Sequence, residues 1–315
     1  MTSITIASTR ETFGQTLLEL GRENPDITVV GGDLNKSTFA NLFGREFQDR
    51  FFDMGAAEQN IMSVAAGLAF SGKIPFANTF AVFGTGRPYD QIRVGIAQPK
   101  ANVKIVCTHS GITVGEDGIS AQSIEDIALM CALPGFTVIV PADAPEAAQA
   151  VREAARIEGP FYIRLSRSAT PVVHGKGFRF KVGKADVMRS GSDVTIAACG
   201  VMVASALEAA EGLKAEGLEC RVLNMATLQP LDEDAIKRAA LETGGIVTAE
   251  EHYKNGGLGS LVSLVVAQNN PVPVEVVAQD RYAESGKPGQ LLEKYGLAPA
   301  DIRNAARRVI QRKKG

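Results

Sequence analysis

Short apolar, β-branched runs alternate along the chain with segments in which apolar residues recur at every third or fourth position, the period of one helix face. The runs are ITVVG (27–31), IPFANT (74–79), VKIVCT (103–108), FTVIV (136–140) and FYIRL (161–165). Helical segments lie between them: one over 123–132, where Ser123 and Asp126 make a start like a capping box, and an alanine-rich one over 144–158. An opening helix is marked by Ser8 with Glu11, followed by Phe13, Leu17, Leu18 and Leu20 at helical spacing. Strands alternating with helices in this way predict a parallel sheet covered by helices on both faces.

From about residue 166 to 192 the pattern changes. Glycine, lysine and arginine rise, the helical period disappears, and VVHGKGFRFKVGKADVMRSG reads as hairpin and linker. A second alternation follows, with VTIAACG (194–200), a helix to about Glu216, CRVLN (220–224), GIVTAE (245–250) and VPVEVV (272–277). For 315 residues this predicts an α/β protein of two doubly wound domains, residues 1–168 and a smaller 193–315, joined by a linker over 169–192.

The charge is nearly balanced, 33 basic against 35 acidic side chains, so neither nucleic acid nor a membrane surface is an expected partner. Any anionic ligand must then be held by local cations. The four cysteines, Cys107, Cys131, Cys199 and Cys220, form no CxxC pair, which suits buried free thiols in a reducing compartment. His109, His174 and His252 stand apart without metal-ligand spacing, so no metal site within the protein is expected. No basic stretch leads into an apolar segment at the N-terminus, and no uncharged apolar run approaches the roughly 20 residues of a membrane span. A cytoplasmic location is expected.

Glu58 is the first candidate for chemistry. It follows a short strand-like run and opens a helix whose Ile61, Val64, Ala65 and Leu68 share one face. Taken alone, a carboxylate there needs no more than the favourable field of a helix N-terminus, worth about 0.3–1 kcal/mol. Its company changes that. Residues 33–39 read DLNKSTF, 57–62 read AEQNIM, Asn78-Thr79-Phe80 is followed by Phe83, and 109–118 read HSGITVGEDG. Ser8-Thr9-Arg10 precedes these and Ser166-Arg167 follows them, while the second domain adds EEHYKNGGLG (250–259) and SGKP (285–288). In order and spacing this set resembles the transketolase family over nearly the whole chain.

The resemblance implies a thiamine diphosphate enzyme that transfers a two-carbon ketol unit between sugar phosphates, with this chain supplying a pyrimidine-binding domain and a C-terminal domain. It implies that Glu58 gives a proton to the cofactor's pyrimidine ring, a task suited to a glutamic acid whose pKa is raised by an apolar pocket. Phe80 and Phe83 would stack on that ring, and Asp33 would belong to the cofactor site. His109 and Asp117 would contact the donor sugar near its reacting carbon. Arg10, Ser37 and Arg167 would hold the sugar's phosphate, a task guanidinium groups perform well. Without the family, Phe80 and Phe83 are ordinary core aromatics, His109 is a hydrogen-bonded loop histidine, Arg10 is a helix-start surface charge and Arg167 a linker charge. Gly86 stands where a third aromatic can follow Phe83 in the family. Ala121 stands where a polar side chain is usual, which makes the adjacent Gln122 the replacement candidate.

The family anchors the diphosphate and its Mg²⁺ through a G-D-G motif and a later asparagine on a separate domain, and this chain has no G-D-G. The resemblance therefore implies a split enzyme. The partner would be an N-terminal transketolase subunit that carries the diphosphate-binding domain and Mg²⁺, in a heterotetramer. Other readings share the two-domain plan: the β chain of a 2-oxoacid dehydrogenase decarboxylase, the C-terminal half of a deoxyxylulose-phosphate synthase, and a non-catalytic paralogue. Arg10 and His109 lean against the first two, while Gly86 and Ala121 keep the third open.

Overall fold

The computed structural model describes residues 5–314. Its first sheet has seven strands, in spatial order Thr227–Gln229, Thr137–Ile139, Phe161–Arg164, Lys104–Thr108, Ile74–Phe80, Ile27–Gly31 and Phe51–Asp53. Neighbours are parallel except the first pair, where Thr227–Gln229 runs antiparallel to Thr137–Ile139. Successive residues of these strands enter opposite cores, which is why the runs are apolar throughout. Val29, Phe76, Val106 and Ile163 pack with Phe13 and Leu17 of helix Thr9–Glu23 and with Ala147 and Val151 of helix Ala144–Arg156. Val30, Ala77, Ile105 and Tyr162 pack on the other face, against Ile61 and Met62 of helix Glu58–Phe70 and Ile127 of helix Asp126–Cys131.

The second sheet has five strands in the order Val274–Gln279, Ile246–Tyr253, Val194–Ala198, Cys220–Asn224 and Asp186–Arg189, parallel but for the last. Helices Met202–Lys214 and Pro299–Lys314 cover one face through Val203, Ala206, Ile302 and Val309. Helices Glu233–Thr243 and Leu258–Asn269 cover the other through Ile236, Ala239, Val262 and Val265. Both units are thus doubly wound. Their cores merge, because Leu223, Met225 and Leu228 lie in the same apolar cluster as Val138, Val140 and Tyr162. Among the described residues no helix is long and apolar enough to cross a membrane.

Buried polar groups reinforce this junction. Arg164 donates from Nε to Asp126 at 2.7 Å and from Nη2 to the carbonyls of Ser123 and Glu251 at 3.1 and 2.9 Å. The Tyr162 hydroxyl donates to the same Asp126 oxygen at 2.6 Å. Glu250 accepts from the amides of Leu258 and Gly259 at 2.7 and 2.8 Å and so satisfies the start of Leu258–Asn269. His252, fully buried, accepts at Nε2 from the Ala128 amide at 3.3 Å. The EEHYKNGGLG motif therefore builds a helix start and a joint to the first domain.

Ser8 accepts from the Glu11 amide at 3.3 Å and caps Thr9–Glu23, as its motif predicts. Elsewhere tertiary partners override local signals. The helix expected from Ser123 begins at Asp126, because the Ser123 carbonyl accepts from the Gly111 amide at 2.7 Å and Arg164 draws Asp126 into the core. Residues 166–192 form no hairpin: Thr170–Pro171 pairs with Ile6–Ala7, and Asp186–Arg189 becomes the edge of the second sheet.

Candidate active site

The C-terminal ends of parallel strands share one edge of a sheet, and ligands of open α/β folds bind there. Phe80 closes Ile74–Phe80, His109 follows Lys104–Thr108, Ser166 and Arg167 follow Phe161–Arg164, and Asp33 follows Ile27–Gly31. The loop after Phe51–Asp53 leads into Glu58. Arg10 joins them from the first turn of Thr9–Glu23, with its Nε 3.0 Å from the Arg167 carbonyl.

Glu58 is only 6 % exposed. Its Oε1 lies 2.9 Å from Arg87 Nη1, and the Arg87 guanidinium carbon sits 4.1 Å from the Phe83 ring centroid. Phe83 and Phe80 are nearly parallel, 15° between planes and 6.0 Å between centroids. Phe80 in turn stacks on the His109 ring at 3.6 Å and 15°. A carboxylate, two phenyl rings and an imidazole are thus brought together. The purely apolar pocket expected around Glu58 is corrected: a guanidinium holds the carboxylate. Arg87 was legible only as the residue after Gly86. Gly86 itself is exposed, and a Cβ there would meet nothing within 4 Å.

His109 has φ +58°, a left-handed backbone uncommon outside glycine and a mark of constrained sites. It is 3 % exposed, with Nδ1 2.8 Å from Thr108 Oγ1. Burial, followed by the charges of Arg10 and Arg167, holds its pKa down to about 3. The imidazole is therefore neutral near pH 7 and serves as a hydrogen-bonding group rather than a cation.

Arg10 Nη1 donates to the Ser37 carbonyl at 2.7 Å, so Ser37 takes part through its backbone. Burial, then the nearby Arg167 charge, lowers the Arg10 pKa below the ordinary guanidinium value. Arg167 reaches Glu116 at 3.3 Å and Asp117 at 3.8 Å, both exposed. An anion bound beside Arg10 would offset the repulsion that lowers its pKa. Gln122 is buried, but its Nε2 donates to the Glu284 carbonyl at 3.0 Å, so its amide ties the second domain while Oε1 has no partner. Asp33 is exposed and follows Gly32, where a Cβ would come 2.7 Å from the Gly55 carbonyl in the loop before Glu58.

The 109–118 loop presses against the second domain at its glycines. A Cβ on Gly111 would fall 2.2 Å from the Glu251 carboxyl carbon, and one on Gly118 would fall 2.3 Å from Ser285 Oγ; both residues have positive φ. The Thr113 amide also donates to Glu251, whose pKa burial pushes up to about 7. The SGKP segment thus backs the loop that carries His109. A cavity of about 710 Å³ opens between 168–173 and helix Met202–Lys214, and none of Glu58, Phe80, Phe83, His109 or Arg10 lines it. Among the described residues no group of three or more His, Cys, Asp or Glu side chains is placed to hold a metal ion.

The family model of the transketolase pyrimidine-binding domain matches residues 6–173, and that of the transketolase C-terminal domain matches residues 183–302. The chain is 42% identical over 309 residues to a putative transketolase C-terminal section from Methanocaldococcus jannaschii, covering 97% of this chain and 96% of that one. It is 39% identical over 305 residues to the 6-deoxy-6-sulfo-D-fructose transketolase subunit SqwH of a Clostridium species, covering 96% and 95%. A solved split gene transketolase, described as an inactive beta4 tetramer, superposes with a TM-score of 0.91 at 50% identity over 98% of this chain and 99% of that one.

Proposed function

The chain belongs to the transketolase family, and we propose that it is the pyrimidine-binding subunit of a two-chain enzyme that moves a two-carbon ketol unit between sugar phosphates. The observation that carries this reading is the buried Glu58 carboxyl beside the near-parallel Phe80 and Phe83 rings, at the C-terminal edge of a parallel sheet. A flat heteroaromatic with a ring nitrogen fits that combination of carboxyl and phenyl faces. Thiamine diphosphate, when bound, supplies the electron sink for breaking and making a carbon–carbon bond beside a carbonyl.

In this reading Glu58, shielded from water, holds a proton at the pyrimidine nitrogen, and Phe83 offers the ring its face. Phe80 fixes His109 by stacking, and the neutral His109 imidazole with Asp117 hydrogen-bonds the donor sugar's oxygens. Arg10 and Arg167 hold the terminal anion, with the Ser37 carbonyl orienting Arg10. Asp33 borders the cofactor side. The diphosphate and Mg²⁺ belong to an N-terminal subunit, as the full-length match to a C-terminal section supports, and the working assembly is a heterotetramer. The 39% identity to a sulfosugar transketolase subunit favours a second reading of the anion alone, a sulfonate in place of the phosphate, which the same guanidinium pair suits.

The test is ketol transfer by the chain assembled with its N-terminal subunit. Glu58→Gln should lower turnover by about 10²–10⁴-fold with the fold intact by circular dichroism, the usual weight of a positioned proton donor. Turnover unchanged by that substitution would refute the assignment of Glu58.

A further inference from the structure

We propose that Arg87 is a built-in stand-in for the pyrimidine: a flat N–H donor group that occupies Glu58 and Phe83 until the cofactor displaces it. This rests on the reading of Glu58 and Phe83 as pyrimidine contacts. Once its ring nitrogen carries the proton that Glu58 gives, an aminopyrimidine offers Glu58 an N–H donor in the ring plane and offers Phe83 a planar π face. A guanidinium offers the same two things. Arg87 uses both at once, with Nη1 2.9 Å from Glu58 Oε1 and its central carbon 4.1 Å from the Phe83 centroid.

The pair is asymmetric in a way that suits displacement. The Glu58 side chain is 7% exposed and fixed at the start of Glu58–Phe70, whereas the Arg87 side chain is 53% exposed. Arg87 therefore reaches in from solvent to a carboxylate that cannot come out. It sits directly after the short helix Ala81–Gly86, beside a glycine with open space around it, so its side chain can swing away without disturbing packed neighbours. A pair built for stability looks different here. Arg164 is buried together with Asp126 and also donates to the carbonyls of Ser123 and Glu251, while the Arg87 guanidinium, among the described residues, pairs with Glu58 alone.

The arrangement gives Glu58 a counter-charge in the absence of cofactor, which relieves the cost of a lone buried carboxylate. The cofactor must then compete with Arg87, and apparent affinity falls in proportion to the fraction of molecules with the guanidinium displaced. For a half-exposed charge-assisted bond combined with a cation–π contact, that reduction is on the order of tenfold.

Titration calorimetry of thiamine diphosphate with Mg²⁺ into the assembled enzyme tests this, comparing the unaltered chain with Arg87→Met and Arg87→Lys. Methionine keeps the reach without charge or donors; lysine keeps the charge without the flat fork. Arg87→Met should bind the cofactor about tenfold more tightly, with Arg87→Lys in between, and the melting temperature should rise more on cofactor addition in Arg87→Met than in the unaltered assembly. Equal affinities would overturn the proposal. Weaker binding by Arg87→Met would also overturn it, and would make Arg87 a direct cofactor contact. An unaltered assembly that binds no thiamine diphosphate would instead remove the pyrimidine reading of Glu58 and Phe83, and this proposal with it.

Discussion

Replacing Asp126 with asparagine should destabilise the chain by about 3–5 kcal/mol, because it removes the carboxylate hydrogen-bonded to the buried Arg164 guanidinium. Arg164 is 4 % exposed, Asp126 is 0 % exposed, and the bond between them is 2.7 Å. Burial alone would raise the Asp126 pKa, but the charges of Arg164 and His252 and the hydrogen bonds from Arg164 and Tyr162 together more than offset that and hold it below its usual value. Asparagine preserves the shape and can still accept from the Tyr162 hydroxyl, so the loss reports charge rather than volume. Urea unfolding followed by circular dichroism measures it. The double substitution Asp126→Asn with Arg164→Met removes both charges and should recover part of the loss, with a coupling energy on the order of 1–3 kcal/mol. The sign with pH is fixed as well. A lowered carboxyl lends stability above its unfolded value near pH 4, and that stability is lost as pH falls through the folded value, so the gap between Asp126→Asn and the unaltered chain should narrow below about pH 4. A single-substitution loss below about 1 kcal/mol, with the double variant simply additive, would refute the idea that this buried pair is coupled and supports the core from which Arg164 reaches the Glu251 carbonyl.

Arg10→Ala or Arg167→Ala should raise KM for phosphorylated sugars in the assembled enzyme and spare hydroxypyruvate, a donor without that anion; equal losses on both donors would make the arginines structural. A pH effect should come from the cluster where Asn224 Nδ2 meets Glu146 Oε1 at 2.8 Å and His174 Nδ1 meets Asp143 at 2.9 Å. Burial pushes Glu146 up to about 7; burial opposes the shift at His174, but its bond to Asp143 and the charge of Glu146 raise it. Both groups bind protons more tightly folded than unfolded, so the stability that Glu146 lends is lost as pH rises from about 4.5 through about 7, and the stability that His174 lends is lost only above its unfolded value near 6.5. Denaturation midpoints should therefore fall over that interval, less steeply in Glu146→Gln, and identical slopes in the two proteins would contradict this.

The central strands were readable because burial on both faces makes the whole run apolar. ITVVG and CRVLN coincide with Ile27–Gly31 and Cys220–Asn224 for that reason. The Ser8 cap was readable because its hydrogen bond is local. Thr227–Gln229 was not, since it has too few residues to show a period and its partner Thr137–Ile139 is distant in sequence. The signal at Ser123 and Asp126 misled for a related reason: a buried guanidinium outweighs a helix cap worth about 1 kcal/mol. At the site, ordered motifs marked Glu58, Phe80, Phe83 and His109 as positions of interest. Their mutual geometry was not legible. The left-handed backbone of His109, its stacking on Phe80 and the reach of Arg87 to Glu58 all depend on side chains from different strand ends. The commitment of the Gln122 amide to Glu284 was equally hidden, because the two residues lie in different domains.

Titration calorimetry of thiamine diphosphate and Mg²⁺ into the purified chain, alone and then with an N-terminal transketolase subunit, tests the split-site claim most directly. In the proposed reading Glu58 and Phe83 take the pyrimidine, while the described residues hold no acidic or imidazole cluster for the ion that would neutralise a diphosphate. Weak binding that ignores Mg²⁺ and no ketol transfer are expected of the chain alone, with tight Mg²⁺-dependent binding and activity appearing together in the assembly. Tight Mg²⁺-dependent binding and ketol transfer by the isolated chain would contradict the claim.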